Sequence, residues 1–363
     1  MRVNHQQYRT IWPDFSGDAP MVAIIDQTKL PHVFEIVKIH DLQEMIAAIK
    51  TMQVRGAPLI GAAAAYGMAL SVLESASDQH LSNAAMQLIA SRPTAVNLKW
   101  AVERMLERLL PLPIESRLQA AWGEAAKICD EDVLLNQSIG AHGLELIRQQ
   151  SHEKSRTIHI LTHCNAGWLA TVDFGTALAP IYAAHNAGLD VHVWVGETRP
   201  RNQGASLTSW ELGQHGVPHT VISDNAGGHL MQQGRVDMVI VGADRVTSTG
   251  DVCNKIGTYL KALAAADAAV LGHRIPFYAA VPSPTIDWSI QDGQQIEIEE
   301  RHADELAWMS GRLADGSIAS VNILPMGTRV WNPAFDVTPA RLVTGIITEH
   351  GVFSPHQLTE MQR

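Results

Sequence analysis

At 363 residues the chain has room for two domains or one large one, and a hydrophobic fraction of 46% suits a protein that buries a core. The formal net charge of -10 argues against a nucleic-acid or anionic-membrane surface, so any anionic ligand must be held by a few local Arg and Lys groups. Three cysteines, Cys129, Cys164 and Cys253, are an odd number without metal-type spacing, and they point to reduced thiols in the cytoplasm. The first fifteen residues lack the apolar core of a signal peptide, and the longest apolar stretch, Ala57 to Leu70, reads as too short for a membrane span. A soluble, cytoplasmic protein with neither nucleic acid nor membrane as partner is expected.

From Met21 to Val37 short apolar runs alternate with turn residues, which predicts two or three antiparallel strands. Asp41 is placed as an N-cap, with Glu44 at the capping-box position of a helix ending near Gln53. Arg55-Gly56-Ala57-Pro58 then opens a small-residue helix over Leu59–Leu73. That loop is either a phosphate cradle at a helix N-terminus or merely a helix start with Pro in its first turn. A second loop from Ser91 to Leu98 carries Arg92, and the chain beyond it reads as amphipathic helix to about Gln149. The polar run Arg148 to Arg156 is the expected boundary between residues 1–150, a smaller, mainly helical domain with a small antiparallel sheet, and residues 151–363.

Beyond it the pattern becomes strand–helix alternation. Strands are predicted at Thr157–Leu161, Asp190–Val195, His219–Ser223, Met238–Gly242 and Phe277–Val281. Helices are predicted at Trp168–Ala187, Ala205–His215, Asn225–Gly234 and Asn254–Ala269. Near-continuous apolar strands separated by helices signal an α/β fold with a parallel sheet covered on both faces. Ligands bind such sheets beyond the carboxyl ends of the strands. Those ends carry Cys164, the Glu197–Arg201 run, Asp224-Asn225 and Asp244-Arg245, with Asn254 and Lys255 close behind. A thiol, carboxylates, an amine and several Arg groups thus converge on one edge, which makes that edge a candidate small-molecule site. Cys164, in a loop read as opening a helix, would sit where N–H groups favour an anion or a thiolate. No Gly-x-Gly-x-x-Gly, Walker A loop, His-Glu-x-x-His or Gly-x-Ser-x-Gly is present, which favours a reaction without cofactor or metal on a small anion.

RGAPLIG from Arg55, SRPTAVNL from Ser91, THCNAG from Thr162, ETRPRNQGASLTSWEL from Glu197, GADR from Gly242 and GDVCNKIGTY from Gly250 together resemble the methylthioribose-1-phosphate isomerases. IEIEER from Ile296 and NPAFDVTP from Asn332 extend the resemblance over nearly the whole chain. The wider group includes regulatory subunits of the nucleotide-exchange factor of translation initiation and archaeal ribose-1,5-bisphosphate isomerases. The resemblance implies an N-terminal domain of helices plus a small sheet, a Rossmann-like C-terminal domain over residues 151–363, and a homodimer that converts an aldose 1-phosphate to a ketose 1-phosphate in methionine salvage. It implies Asp244 and Cys164 as the catalytic pair. Substrate binding would fall to Arg55, Gly56, Ala57, Arg92, Gln203, Asn254 and Lys255. Three departures bear on substrate preference rather than on reaction type: Ser206 where the family often has Arg, Ala226-Gly227 in a usual Asn-Met-Ala-Gly turn, and Pro284 inside a Ser-Thr pair.

In a sugar 1-phosphate the ring cannot open by loss of an anomeric proton. An acid must protonate the ring oxygen, and a hydrogen must then move from C2 to C1. Asp244, directly after the apolar strand MVIVGA, is suited to stay protonated as that acid. Cys164 would be the base of an enediol route or the stabiliser of a direct hydride shift. The alternatives are an isomerase of 5-deoxyribose 1-phosphate or ribose 1,5-bisphosphate, and a non-enzymatic sugar-phosphate-binding subunit. Such a subunit need not keep Cys164 and Asp244 together.

Overall fold

The computed structural model describes residues 1–362. Strands Ile11–Asp14, Met21–Ile25 and Ile36–Ile39 form an antiparallel sheet in that order. The sequence places two or three strands between Met21 and Val37. The first one lies earlier, while Gln27–Val33 turns, with the Asp26 carboxylate accepting from the Thr28 N–H at 2.9 Å. Helix Leu42–Lys50 begins as expected, with the Asp41 side chain accepting from the Glu44 N–H and Glu44 accepting from the His40 N–H.

Four more helices follow: Ala57–Glu74, Asp78–Ser91, Val96–Leu109 and the 41-residue Ile114–Lys154. Ala57–Glu74 runs past Leu70 to 18 residues, long enough and apolar enough by composition to cross a membrane, so the expectation of a stretch too short for that is corrected. Its most apolar window is 83% buried inside the protein, so it is the central rod of the helical layer. Alanines and glycines on all its faces let neighbours approach closely; a Cβ on Gly61 would meet the Asn97 carbonyl at 3.0 Å.

A seven-stranded sheet carries the second half. Its order is Gly351–Phe353, Gly345–Thr348, Phe277–Ala280, Met238–Val241, Ile158–Thr162, Val191–Gly196, His219–Ile222. All neighbours are parallel except the terminal Gly345–Thr348/Gly351–Phe353 pair. The five predicted strands are all here, because fully apolar runs such as Met238–Val241 are stable only with both faces covered. Chain order starts at Ile158–Thr162, moves outward through Val191–Gly196 and His219–Ile222, then returns to Met238–Val241 on the other side. The sheet therefore has its topological switch point between Ile158–Thr162 and Met238–Val241. A four-stranded sheet in the order Ile286–Asp287, Arg245–Thr247, Val252–Lys255, Phe335–Thr338 continues from the end of Met238–Val241.

Two predicted helices are corrected. Trp168–Ala187 is a single 3-10 turn at Trp168–Ala170, then a loop, then a helix only at Ala179–Asn186. Phe174 and Gly175 take positive φ, the Thr171 hydroxyl and Asp173 carboxylate bond to local backbone, and the Thr176 and Leu178 N–H groups both donate to the Ala166 carbonyl. These local bonds outcompete the helix. The Asn254–Ala269 helix starts at Thr258, after Gly257 at φ +99°, because Val252–Lys255 pairs on both sides as a strand. Asn254 and Lys255 therefore sit on a strand, not at a helix N-terminus.

Candidate active site

Cys164 follows the strand Ile158–Thr162 and Asp244 follows Met238–Val241, so the two flank the switch point. The hairpin Arg245–Thr247/Val252–Lys255 folds back beside them, with the Asp244 N–H donating to the Cys253 carbonyl at 2.9 Å. The helix N-terminus at Ala57 closes the opposite wall. Between them lies a cleft lined by both polar and apolar groups. Arg55, Gly56, Ala57, Arg92, Cys164, Gln203, Asp244, Asn254 and Lys255 all line it, so the structure brings together the residues to which the resemblance gives a role, while Glu197–Arg201, Asp224-Asn225 and Arg245 lie outside its lining. Met52, Pro282 and Phe335 add apolar wall.

The loop geometry explains why these residue types are needed. Gly56 has φ +95°, and a Cβ there would lie 2.5 Å from the Ala170 carbonyl oxygen, so only glycine lets the helix start pack this closely. Cys164 itself is left-handed at φ +64°, a conformation that costs a non-glycine residue about 1–3 kcal/mol. It is held there from both sides. Its N–H donates to the Thr198 hydroxyl at 2.7 Å, and its carbonyl accepts from the Thr208 hydroxyl at 2.7 Å. The Asp224 carboxylate fixes the Thr198 and Arg199 N–H groups at 2.8 Å each. The Cys164 thiol donates to the Gln203 side-chain carbonyl at 3.4 Å.

Burial is the main electrostatic fact. It pushes the Asp244 carboxyl above the ordinary carboxylate range, against the pull of Lys255, Arg92 and Arg55. It also pushes the Cys164 thiol up, against Arg55 and Lys255. The expected thiolate-favouring helix end is absent, because no α-helix starts at that loop. Burial draws Lys255 down, although the Cys164 and Asp244 charges oppose it. Its ammonium lies 4.4 Å from the Phe335 ring centroid. His163 is buried and held neutral, with burial and Lys261 both lowering it. Its Nε2 bonds the Ile256 carbonyl at 2.8 Å, so it braces the loop.

Arg92 reaches the cavity with an Nη2 on Glu299 at 3.3 Å, and its Nε is buried with no partner among the described residues. Alternating charges continue outward: Arg301 pairs with Glu299 at 2.8 Å and Glu305 at 2.6 Å, and Arg201 pairs with Glu305 at 2.9 Å. Neither Arg199 nor Arg201 pairs with Glu197 or Glu211, the acidic residues nearest in sequence. Arg199 instead donates to the Pro200 and Leu306 carbonyls, and Glu211 is fully buried elsewhere. Sequence reasoning missed Thr198, Asn165 and Glu211. Each stands inside a quoted motif, but nothing in its type or spacing marks it as buried. The three cysteines are free and buried, and no cluster of three metal-ligating side chains occurs among the described residues.

Residues 53–355 match the sequence profile of the Initiation factor 2 subunit family. A methylthioribose-1-phosphate isomerase of Rhodospirillum rubrum is 60% identical over 359 residues, 97% of this chain and 90% of that protein. The crystal structure of 5-methylthioribose 1-phosphate isomerase from Pyrococcus horikoshii superposes with a TM-score of 0.81 at 38% identity, covering 98% of this chain and 96% of the other. That of the translation initiation factor eIF-2B, subunit delta, from A. fulgidus gives 0.77 at 40% identity, covering 97% and 98%.

Proposed function

Because the chain belongs to the Initiation factor 2 subunit family, and its relatives include methylthioribose-1-phosphate isomerases at up to 60% identity, we propose that it converts 5-methylthioribose 1-phosphate to 5-methylthioribulose 1-phosphate. The observation that carries this reading is the pairing of Cys164 with Asp244 across the sheet's switch point, in one cavity with Arg55, Arg92 and Lys255. The protonated Asp244 delivers its proton to the ring oxygen, the C1–O4 bond breaks, and C1 is left electron-deficient with its phosphate in place. A hydrogen then passes with its electron pair from C2 to C1 while the C2 hydroxyl returns a proton to the Asp244 carboxylate and becomes the ketone. Cys164 acts either as base, taking the C2 proton to give an enediol-type intermediate, or as stabiliser of a direct hydride shift. Its upward-shifted thiol favours the hydride shift.

The phosphate is gripped by Arg55, Arg92 and Lys255 with N–H groups of the helix start at Gly56 and Ala57, a donor set that matches a dianion. Gln203 and Asn254 orient the sugar hydroxyls. The same reading brings with it a homodimer, a division of the chain near residue 150 and a step in methionine salvage. A second reading, a non-enzymatic regulatory subunit, draws on the likeness to the eIF-2B delta structure.

Purified protein is incubated in D2O with methylthioribose 1-phosphate and, separately, with 5-deoxyribose 1-phosphate, and ketose formation is followed by NMR. We expect turnover of the methylthio sugar, with no deuterium at C1 of the product. Deuterium at C1 would assign the enediol route. Binding without turnover of either sugar would favour the regulatory reading.

A further inference from the structure

Among the buried ionisable groups that the isomerase reading leaves unused, Glu211 lies against the cysteine loop. Glu211, on the helix Ser209–His215, is fully buried, and its carboxylate is occupied on both oxygens. Oε2 accepts from the Trp168 N–H at 2.7 Å and the Tyr182 hydroxyl at 2.8 Å, and Oε1 accepts from the Asn165 side-chain amide. A Cβ on Gly167 would lie 2.0 Å from that carboxylate, so the backbone of the cysteine loop is wrapped directly onto it. Burial raises Glu211 to about 7 even with the three donors and Arg55 pulling the other way.

Asn165 passes the orientation on. Its amide nitrogen donates to both Glu211 and the Thr208 hydroxyl, the latter at 3.2 Å. With both donors spent, its Oδ1 must face the other way, toward Arg55. Arg55 donates one Nη to that oxygen and the other to the Asn165 main-chain carbonyl at 2.6 Å. Two of its five N–H donors are thereby fixed on one residue, and the guanidinium plane is set against the cavity wall. Thr208, one turn before Glu211, also holds the Cys164 carbonyl. Thiol loop and arginine are tied to one short stretch of chain.

We propose that Glu211 is a positioning residue: through Asn165 it aims Arg55 at the substrate phosphate, and its charge balances that buried guanidinium. The proposal rests on the isomerase reading for the identity of the ligand. In Glu211→Gln the new amide cannot accept from all three donors. Asn165 is then driven to flip, which turns its NH2 toward Arg55, where an acceptor is required. Arg55 is released while Cys164 and Asp244 keep their places.

The test is a double-mutant cycle on KM and kcat for methylthioribose 1-phosphate with wild type, Glu211→Gln, Arg55→Ala and the double variant. We expect Glu211→Gln to raise KM about tenfold or more, the scale of one lost charge-assisted hydrogen bond, with kcat changed far less. The double variant should be no worse than Arg55→Ala alone. Glu211→Gln combined with Asn165→Asp, which restores one carboxylate between the new amide and Arg55, should recover most of the KM. Thermal melting of each variant monitors folding, and where the glutamine variant fails to fold, Glu211→Asp enters the same cycle in its place. Additive KM effects, or a loss confined to kcat, would overturn the proposal. If wild type turns over neither sugar, the isomerase reading fails separately. The cycle is then read as inorganic phosphate affinity by calorimetry, where additivity again counts against Glu211.

Discussion

An aspartate enclosed at the end of a buried strand is costly to ionise, and at Asp244 that cost falls on the residue proposed as the acid. Its carboxyl is raised by burial, so the folded protein binds a proton that the unfolded chain releases near pH 3.9. Over that window the folded state holds more protons, so stability falls as pH rises from the unfolded value to the raised folded one. Asp244→Asn removes this penalty. We expect a higher melting temperature for the variant than for wild type at pH 7, a gap that closes near pH 4, and activity down about 10²–10⁴-fold. A variant that melts lower at both pH values would contradict the account of its burial. Lys255→Ala should raise KM for the phosphorylated sugar more than it lowers kcat, since a cation on the phosphate serves ground and transition states alike. Steady-state kinetics at fixed ionic strength reads this directly.

At the scale of elements, the helix Ala57–Glu74 does two things at once. Its body is the rod of the helical layer, and its first turn is a wall of the cavity. Gly56→Ala strikes the joint between them, putting a Cβ 2.5 Å from the Ala170 carbonyl oxygen at φ +95°. We expect more than about 1 kcal/mol lost in denaturant unfolding, together with a raised KM, because the helix start must shift. Asp41→Ala is the matched control. It removes the N-cap bond to Glu44 and should cost about 1 kcal/mol while leaving both kinetic constants unchanged. A kinetic effect at Asp41 equal to that at Gly56 would mean that general loosening, not the helix start, governs binding.

Across the whole molecule, the parts legible in the sequence are those fixed by local chemistry. The five predicted strands are short runs rich in apolar and β-branched residues, Met238–Val241 wholly so, and the rule that ligands gather at parallel strand ends points to Cys164 and Asp244. The Asp41 cap was legible for the same reason. What was not legible depends on contacts distant in the chain. Val252–Lys255 is a strand because it pairs with Phe335–Thr338, about eighty residues on. The stretch after Trp168 has helical periodicity, yet it loops because its N–H groups find Ala166, Thr171 and Asp173 instead of one another. Glu211 reads as one more surface charge until Trp168, Tyr182 and Asn165 close over it.

The fold, the switch point and the cation-lined cavity converge on one claim, that Asp244 and Cys164 isomerise a sugar 1-phosphate. The most direct test is a side-by-side NMR assay of wild type and Asp244→Asn with methylthioribose 1-phosphate, with binding of the sugar to each protein measured by calorimetry. We expect the ketose to accumulate with wild type only, while both proteins bind the substrate. Equal turnover by the two proteins, or tight binding with no ketose from wild type, would contradict it.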